Sequence, residues 1–174
     1  KEEIHFIVYH LYQRYAMATL YYSLGGNDIL PNEEEEGESF FNIISGWADS
    51  TNWLSSNSVC TWKGVTCNYF QQNANLVSEL CEDGGVVSEI SIPKNRLDGT
   101  IPNEVFILKY LQVLRLNQNN IKGSLPSTIR SCDSLLEIDI SHNQMQGNIS
   151  NLLDQIMPQS RTIQNLILDN NKFH

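Results

Sequence analysis

The stretch LRLNQNNIKGSLP, residues 114–126, decides the fold. Leu114 and Leu116 flank a residue that faces the other way in an extended chain, because successive strand side chains alternate sides. Asn119 follows, then Gly123 and the pair Leu125-Pro126. Twenty-four residues upstream, Ile90, Ile92, Asn95, Gly99 and Ile101-Pro102 stand in the same order. Twenty-four downstream stand Ile138, Ile140, Asn143 and Gly147, and a further copy, Leu166, Leu168 and Asn171, follows Asn143 after a step of 28. A repeat of this length is one small structural unit, too small to bury its own apolar side, so the copies must stack.

A period of roughly 20–29 residues with the form L-x-L-x-x-N marks leucine-rich repeats. The expected fold class is an α/β solenoid, a right-handed leucine-rich-repeat coil with a helical N-terminal cap. Residues 86–174 hold about four repeats, the last incomplete, and the third carries a four-residue insertion around 154–159. The apolar pairs point inward. The asparagines Asn95, Asn119, Asn143 and Asn171 answer a different need. Where the chain turns out of each strand, backbone groups lose their ladder partners, and a carboxamide offers both donor and acceptor to replace them. Because LILDNNKFH (166–174) stops inside a coil, the natural polypeptide is expected to have more repeats; lacking a starting Met, it is expected to begin upstream as well.

Residues 1–85 lack the period and read as a cap for the open end of the first coil. Residues 1–24 read as a helix whose face Ile4, Val8, Leu11, Tyr15, Ala18 and Tyr22 packs on the next element, with Gly25-Gly26 as its stop. Residues 32–38 form an acidic loop around four consecutive glutamates. Side chains at adjacent positions point apart, so they do not converge on calcium. Residues 39–58 read as a second short helix and a loop beneath the first, and Trp47, Trp53 and Trp62 supply aromatic cover.

The segment NWLSSNSVCTWKGVTCN (52–68) resembles the N-terminal cap of plant-type leucine-rich-repeat proteins, in which C-x-W-x-G-V-x-C precedes the first coil. ISIPKNRLDGTIPNEV, LRLNQNNIKGSLPSTI and IDISHNQMQGNIS resemble the plant form L-x-L-x-x-N-x-L-x-G-x-I-P, with Ser150 departing from the expected proline. QRYAMATLYYSLGG (13–26) looks like the helix preceding this cap in such proteins of diatoms and related algae. The resemblance implies a Cys60–Cys67 disulfide, hence an oxidising, secreted or extracytoplasmic location. Cys132 reads as a buried free thiol on the back of a coil, and Cys81 is either free or a competitor for a bridge.

The resemblance implies a non-enzymatic recognition module of a receptor-like protein, and two other roles stay open: a structural subunit docked in a larger assembly or cell wall, and an inhibitor of a secreted hydrolase. The formal net charge of −9 disfavours nucleic acid and anionic membrane as partners. No apolar run long enough to insert in a bilayer is present, which is compatible with an anchor outside this segment. No nucleophile elbow, phosphate loop or H-E-x-x-H pattern supports catalysis or a cofactor, and Cys60 and Cys67 lack the spacing and histidines of a zinc site. A protein, peptide or glycan ligand would lie on the concave strand face. Its solvent-facing positions are Ser88, Glu89 and Ser91, then Gln112, Arg115 and Gln118, then Glu137, Asp139 and His142, then Gln164, Asn165 and Ile167. Asn148-Ile149-Ser150 is an N-glycosylation sequon. Leaving a buried amide group unpaired costs about 1–3 kcal/mol, so Asn119→Ala is expected to lower stability by that amount. An unfolding midpoint unchanged from wild type in urea would contradict the assignment.

Overall fold

The computed structural model describes residues 2–27, 46–69, 85–156 and 163–174. Helix α1 spans Glu2–Ser23. Strands β1 (Val65–Tyr69), β2 (Gly85–Ser91), β4 (Val113–Arg115), β6 (Glu137–Asp139) and β8 (Asn165–Ile167) form one sheet in that order. β1 runs antiparallel to β2, and the others are parallel. A second, parallel row of short strands holds β3 (Asp98–Thr100), β5 (Asn120–Gly123), β7 (Gln144–Gly147) and β9 (Lys172–Phe173). Each copy of the repeat therefore makes one strand of the long sheet, a turn, and one strand of the short row.

The returns between coils are 3₁₀ turns at Asn103–Ile107 and Ser127–Ser131, which follow Pro102 and Pro126. In the third coil, where Ser150 replaces proline, helix α2 (Ile149–Ile156) takes their place. Part of the expected insertion, 157–159, lies outside the described residues.

The core runs in columns at the repeat spacing. Ile90, Leu114 and Ile138 are fully buried, and so are Leu97, Ile121 and Met145. Cys132 occupies the position that Leu108 fills one coil before and Ile156 one coil after, which explains its burial. Its thiol has no disulfide partner and lies 3.6 Å from the Leu111 carbonyl oxygen. Loss of solvent, reinforced by the Asp133 charge, pushes its pKa up to about 12, so it stays protonated at neutral pH.

The asparagines cross the gaps between coils. Asn119 Oδ1 accepts from Asn95 N at 2.8 Å and Leu97 N at 3.1 Å, both one coil back. Its Nδ2 donates to Ile92 O at 3.0 Å and to Leu116 O of its own coil at 2.9 Å. Asn143 repeats the pattern with Ile121 N, Leu116 O and Ile140 O. Asn171 does so with Met145 N, Ile140 O and Leu168 O. The residue before each asparagine, Lys94, Gln118, His142 or Asn170, takes a left-handed φ between 53 and 58°. That conformation, uncommon for side chains other than Asn and Gly, sits at the same place in every turn.

Asn95 faces no earlier coil. Its carboxamide instead bonds the backbone of Asp49, accepting from the N–H at 2.7 Å and donating to the carbonyl at 2.9 Å. The adjoining residues pack an aromatic cluster: Trp47 lies 4.9 Å from Tyr21 and 4.7 Å from Trp53, and Trp53 lies 5.1 Å from Trp62, between ring centroids. The Cys60–Cys67 disulfide joins the 3₁₀ turn Val59–Thr61 to β1.

Helix α1 packs against the first coil with a face other than the one expected. Gln13, Ala16, Met17, Leu20, Tyr21 and Leu24 are buried, whereas Val8, Leu11, Tyr15 and Tyr22 are exposed. The helix is apolar around most of its circumference, so its own periodicity does not select a face. The selection comes from what α1 docks on. Gln13 Oε1 accepts from Val87 N at 2.8 Å and its Nε2 donates to Gly85 O at 3.3 Å, so the carboxamide pairs with β2 as a strand would. At the helix end, Asp98 N donates to Leu24 O at 3.2 Å, and a Cβ on Gly99 would lie 2.0 Å from Ser23 O. The expected second short helix and loop over 39–58 are only partly described. Residues 39–45 and the acidic loop lie outside the described residues, and 46–58 form turns and bends.

Gln13→Ala is expected to cost about 1–3 kcal/mol by stranding the Val87 N–H and the Gly85 carbonyl. Urea unfolding checks this, and a midpoint equal to wild type would show that α1 is not held through this carboxamide.

Candidate functional site on the outward sheet face

Strand register fixes which side chains share the solvent side of the long sheet. Glu89, Val113, Glu137 and Asn165 stand in one cross-strand row, and Ser91, Arg115, Asp139 and Ile167 in the next. Alternation sends Ile90, Leu114, Ile138 and Leu166 inward between the rows. Two of the positions expected on this face are displaced. Ser88 is buried, with its hydroxyl donating to Thr66 O at 3.2 Å. Gln112 lies one residue before β4, in phase with inward Leu114, and Val113 takes the place in the row. Val113 was legible as the residue 24 positions after Glu89.

Arg115 organises the face. Its Nη1 lies 2.5 Å from Glu89 Oε1 and its Nε 2.6 Å from Glu137 Oε1, so one guanidinium joins three strands. The fork geometry of arginine permits both contacts at once. The hydrogen bond from Arg115 holds the Glu137 carboxyl below its ordinary value of 4.5, and Asn165 Nδ2 adds a contact at 3.3 Å. Glu137 in turn holds the Arg115 pKa above its usual value.

Further along the face, Asp139 Oδ1 accepts from Ser141 N at 3.0 Å and Oγ at 2.7 Å. His142 Nε2 lies 3.7 Å from Asp169 Oδ2 and 3.2 Å from Asn170 Nδ2. Gln118 and Gln164 are exposed beyond the strands. Ser141 and Asp169 extend the site beyond the residues read from the sequence. Against the carboxylates Glu89, Glu137, Asp139 and Asp169 the face sets one arginine and a histidine, so it presents an acidic surplus with its cation already engaged. Among the described residues no group of three or more His, Cys, Asp or Glu could hold a metal ion. None of their helices is long and apolar enough to cross a membrane. Asn148 is exposed, and its Oδ1 accepts from Asn151 N at 3.0 Å in the first turn of α2.

The model of the leucine rich repeat N-terminal domain matches residues 34–68. The chain is 30% identical over 115 residues to the probable LRR receptor-like serine/threonine-protein kinase RPK1 of Arabidopsis thaliana, covering 62% of this chain and 21% of the relative. These matches support a leucine-rich-repeat protein of the plant type. The chain spans about a fifth, or less, of the length of the curated relatives it matches. The LRR ectodomain of the receptor kinase SOBIR1 from Arabidopsis thaliana superposes with a TM-score of 0.59 at 20% identity, over 92% of this chain and 67% of that one, which speaks for the fold alone. The Arabidopsis receptor kinase HAESA ectodomain, in complex with an N-terminal extended IDA peptide hormone ligand, gives 0.53 at 25% identity, over 74% of this chain and 19% of that one. Leucine-rich-repeat stacking is thus common to this chain and to receptor ectodomains.

The Arg115 clamp has a pH signature. Because the folded Glu137 pKa is depressed, its stabilising contribution is present above the ordinary glutamate range and is lost as pH falls through the folded value. The stability difference between wild type and Arg115→Leu is expected to hold steady above pH 4.5 and to shrink below it. Urea titrations across that range check this, and a difference independent of pH would contradict the clamp.

Proposed function

We propose that this segment is the N-terminal part of an extracellular recognition module that binds a protein or peptide ligand through the outward face of β2, β4, β6 and β8. One observation carries the reading: two in-register rows of mostly polar, solvent-facing side chains lie on a parallel sheet, with Arg115 clamped between Glu89 and Glu137. A surface ordered before binding loses little side-chain entropy on association. The likeness to a peptide-bound receptor ectodomain supports the same reading.

In this reading residues 1–85 cap a right-handed coil, with α1 as the helix of the algal form, lying upstream of the matched segment 34–68. The protein acts outside the cytoplasm, as the Cys60–Cys67 bond and the likeness to the HAESA ectodomain suggest. Asn148 carries an N-glycan; the residue is exposed, with its Oδ1 capping α2.

A second reading has an observation of its own. Val8, Leu11, Tyr12, Tyr15 and Tyr22 are exposed together along α1, as on a subunit that docks in a larger assembly.

Selection of a displayed random-peptide library on this chain separates the two. Peptides that bind through the strand face are expected to lose about tenfold in affinity or more on Arg115→Ala or Asp139→Ala. Peptides indifferent to both substitutions, but lost on Leu11→Asp, would overturn the strand-face reading in favour of docking through α1.

A further inference from the structure

On the turn edge between the first two coils, away from the strand face, lies an open groove of about 530 Å³ lined by Gly46, Lys94, Arg96, Asp98, Gln118, Asn119 and Asn120. Most of its polar groups are engaged. Asn119 is spent on the backbone of two coils. The Asp98 carboxylate is held by Lys122 Nζ at 2.7 Å and by Asn120 Nδ2, and Asn120 Oδ1 accepts from Gln144 Nε2. Lys94 and Arg96 differ. Both are exposed, and neither forms an ion pair among the described residues. With Asp98 balanced by Lys122, the described residues leave two positive charges in the groove without a carboxylate partner, in a chain whose net charge is −9.

Arg96 is also the exception in its register. The residues that follow the other ladder asparagines, Asn120, Gln144 and Lys172, are absent from the left-handed region, whereas Arg96 has φ 59°. Lys94, at φ 53°, takes the left-handed conformation found at its place in every turn, so the additional left-handed residue beside Asn95 is Arg96. Asn95 O is turned to accept from Ala48 N at 3.0 Å, which fixes the bend and brings both cations to the same groove. At the next gap the equivalent positions, 24 residues on, hold Gln118 and Asn120, neither of them a cation. Strain of this kind in a non-glycine residue clusters at ligand sites.

We infer that this groove binds one oxyanion, a carboxylate or sulfate ester, carried by a short acidic oligosaccharide. A guanidinium fork and an ammonium suit the oxyanion. The Gln118 carboxamide, with a donor and an acceptor, suits adjacent hydroxyls. Among the described residues the lining has no aromatic or aliphatic side chain to anchor a peptide, whose affinity rests on such groups. Long polyanions, nucleic acids among them, meet the repulsion of the whole chain.

The test is a ¹⁵N-NMR titration of this chain at low salt with tri-galacturonic acid, its methyl ester, and a galactose trimer bearing one sulfate ester. Saturable shifts of the Lys94, Arg96 and Gln118 amides are expected with the carboxylate or the sulfated trimer, and which of them binds identifies the oxyanion. The methyl ester should bind about tenfold more weakly, as should the variant with Lys94→Gln and Arg96→Gln, while Arg96→Lys retains binding. Unfolding midpoints of the variants separate lost binding from lost fold. Absence of saturable shifts with both anionic trimers, equal binding of the ester, or equal binding by the double variant at an unchanged midpoint would overturn the proposal.

Discussion

A side-chain carboxamide that reaches from one coil into the one before it is the contact on which the rest of this architecture rests. At the turn that leaves each strand of the long sheet, the chain cannot satisfy its own backbone, and the next copy's asparagine accepts one N–H there and donates to a carbonyl on either side. The apolar columns beside it contribute more area, but burial is not directional and tolerates displacement. The carboxamide does not. It sets the offset between coils, and with it the register that aligns Glu89, Val113, Glu137 and Asn165 on one face.

The same chemistry closes the first coil. Asn95 has no earlier repeat to bond, so the backbone of Asp49 stands in for one, and Gln13 of α1 offers β2 a second carboxamide that behaves as a short piece of strand. Beside the Asp49 contact the tryptophans and Tyr21 form a buried aromatic cluster, and the Gln13 carboxamide is itself buried. The segment before the first coil therefore meets it through side-chain amides as well as through the antiparallel strand β1. The bend at Asn95 also brings Lys94 and Arg96 together at the groove on the turn edge.

How much of this could be read from the residues follows from where each signal originates. The repeat is a sequence-local period, so the inward pairs and the column of asparagines were legible in spacing alone. The docking face of α1 was not, because Val8, Leu11, Tyr12 and Tyr15 are large hydrophobic residues as Met17 and Leu20 are, and only the neighbouring coil distinguishes them. Gln13 reads as an interruption of an apolar run and is in fact the polar residue that the interface requires. The antiparallel pairing of β1 with β2 depends on a contact across residues 70–84 and leaves no periodic trace. On the strand face, spacing identified Glu89, Arg115 and Glu137, but it could not reveal that the arginine is committed to both glutamates. The family match falls on such a local pattern, the segment 34–68.

Native-state hydrogen exchange in Asn143→Ala tests the carboxamide bridge most directly. Asn143 accepts from the Ile121 amide of the preceding coil, at 2.9 Å, and has no bond to the Leu114 amide in that coil's strand. The account predicts that the Ile121 amide exchanges about tenfold faster in the variant, with Leu114 little changed. Equal acceleration at both amides, or none at Ile121, would contradict it.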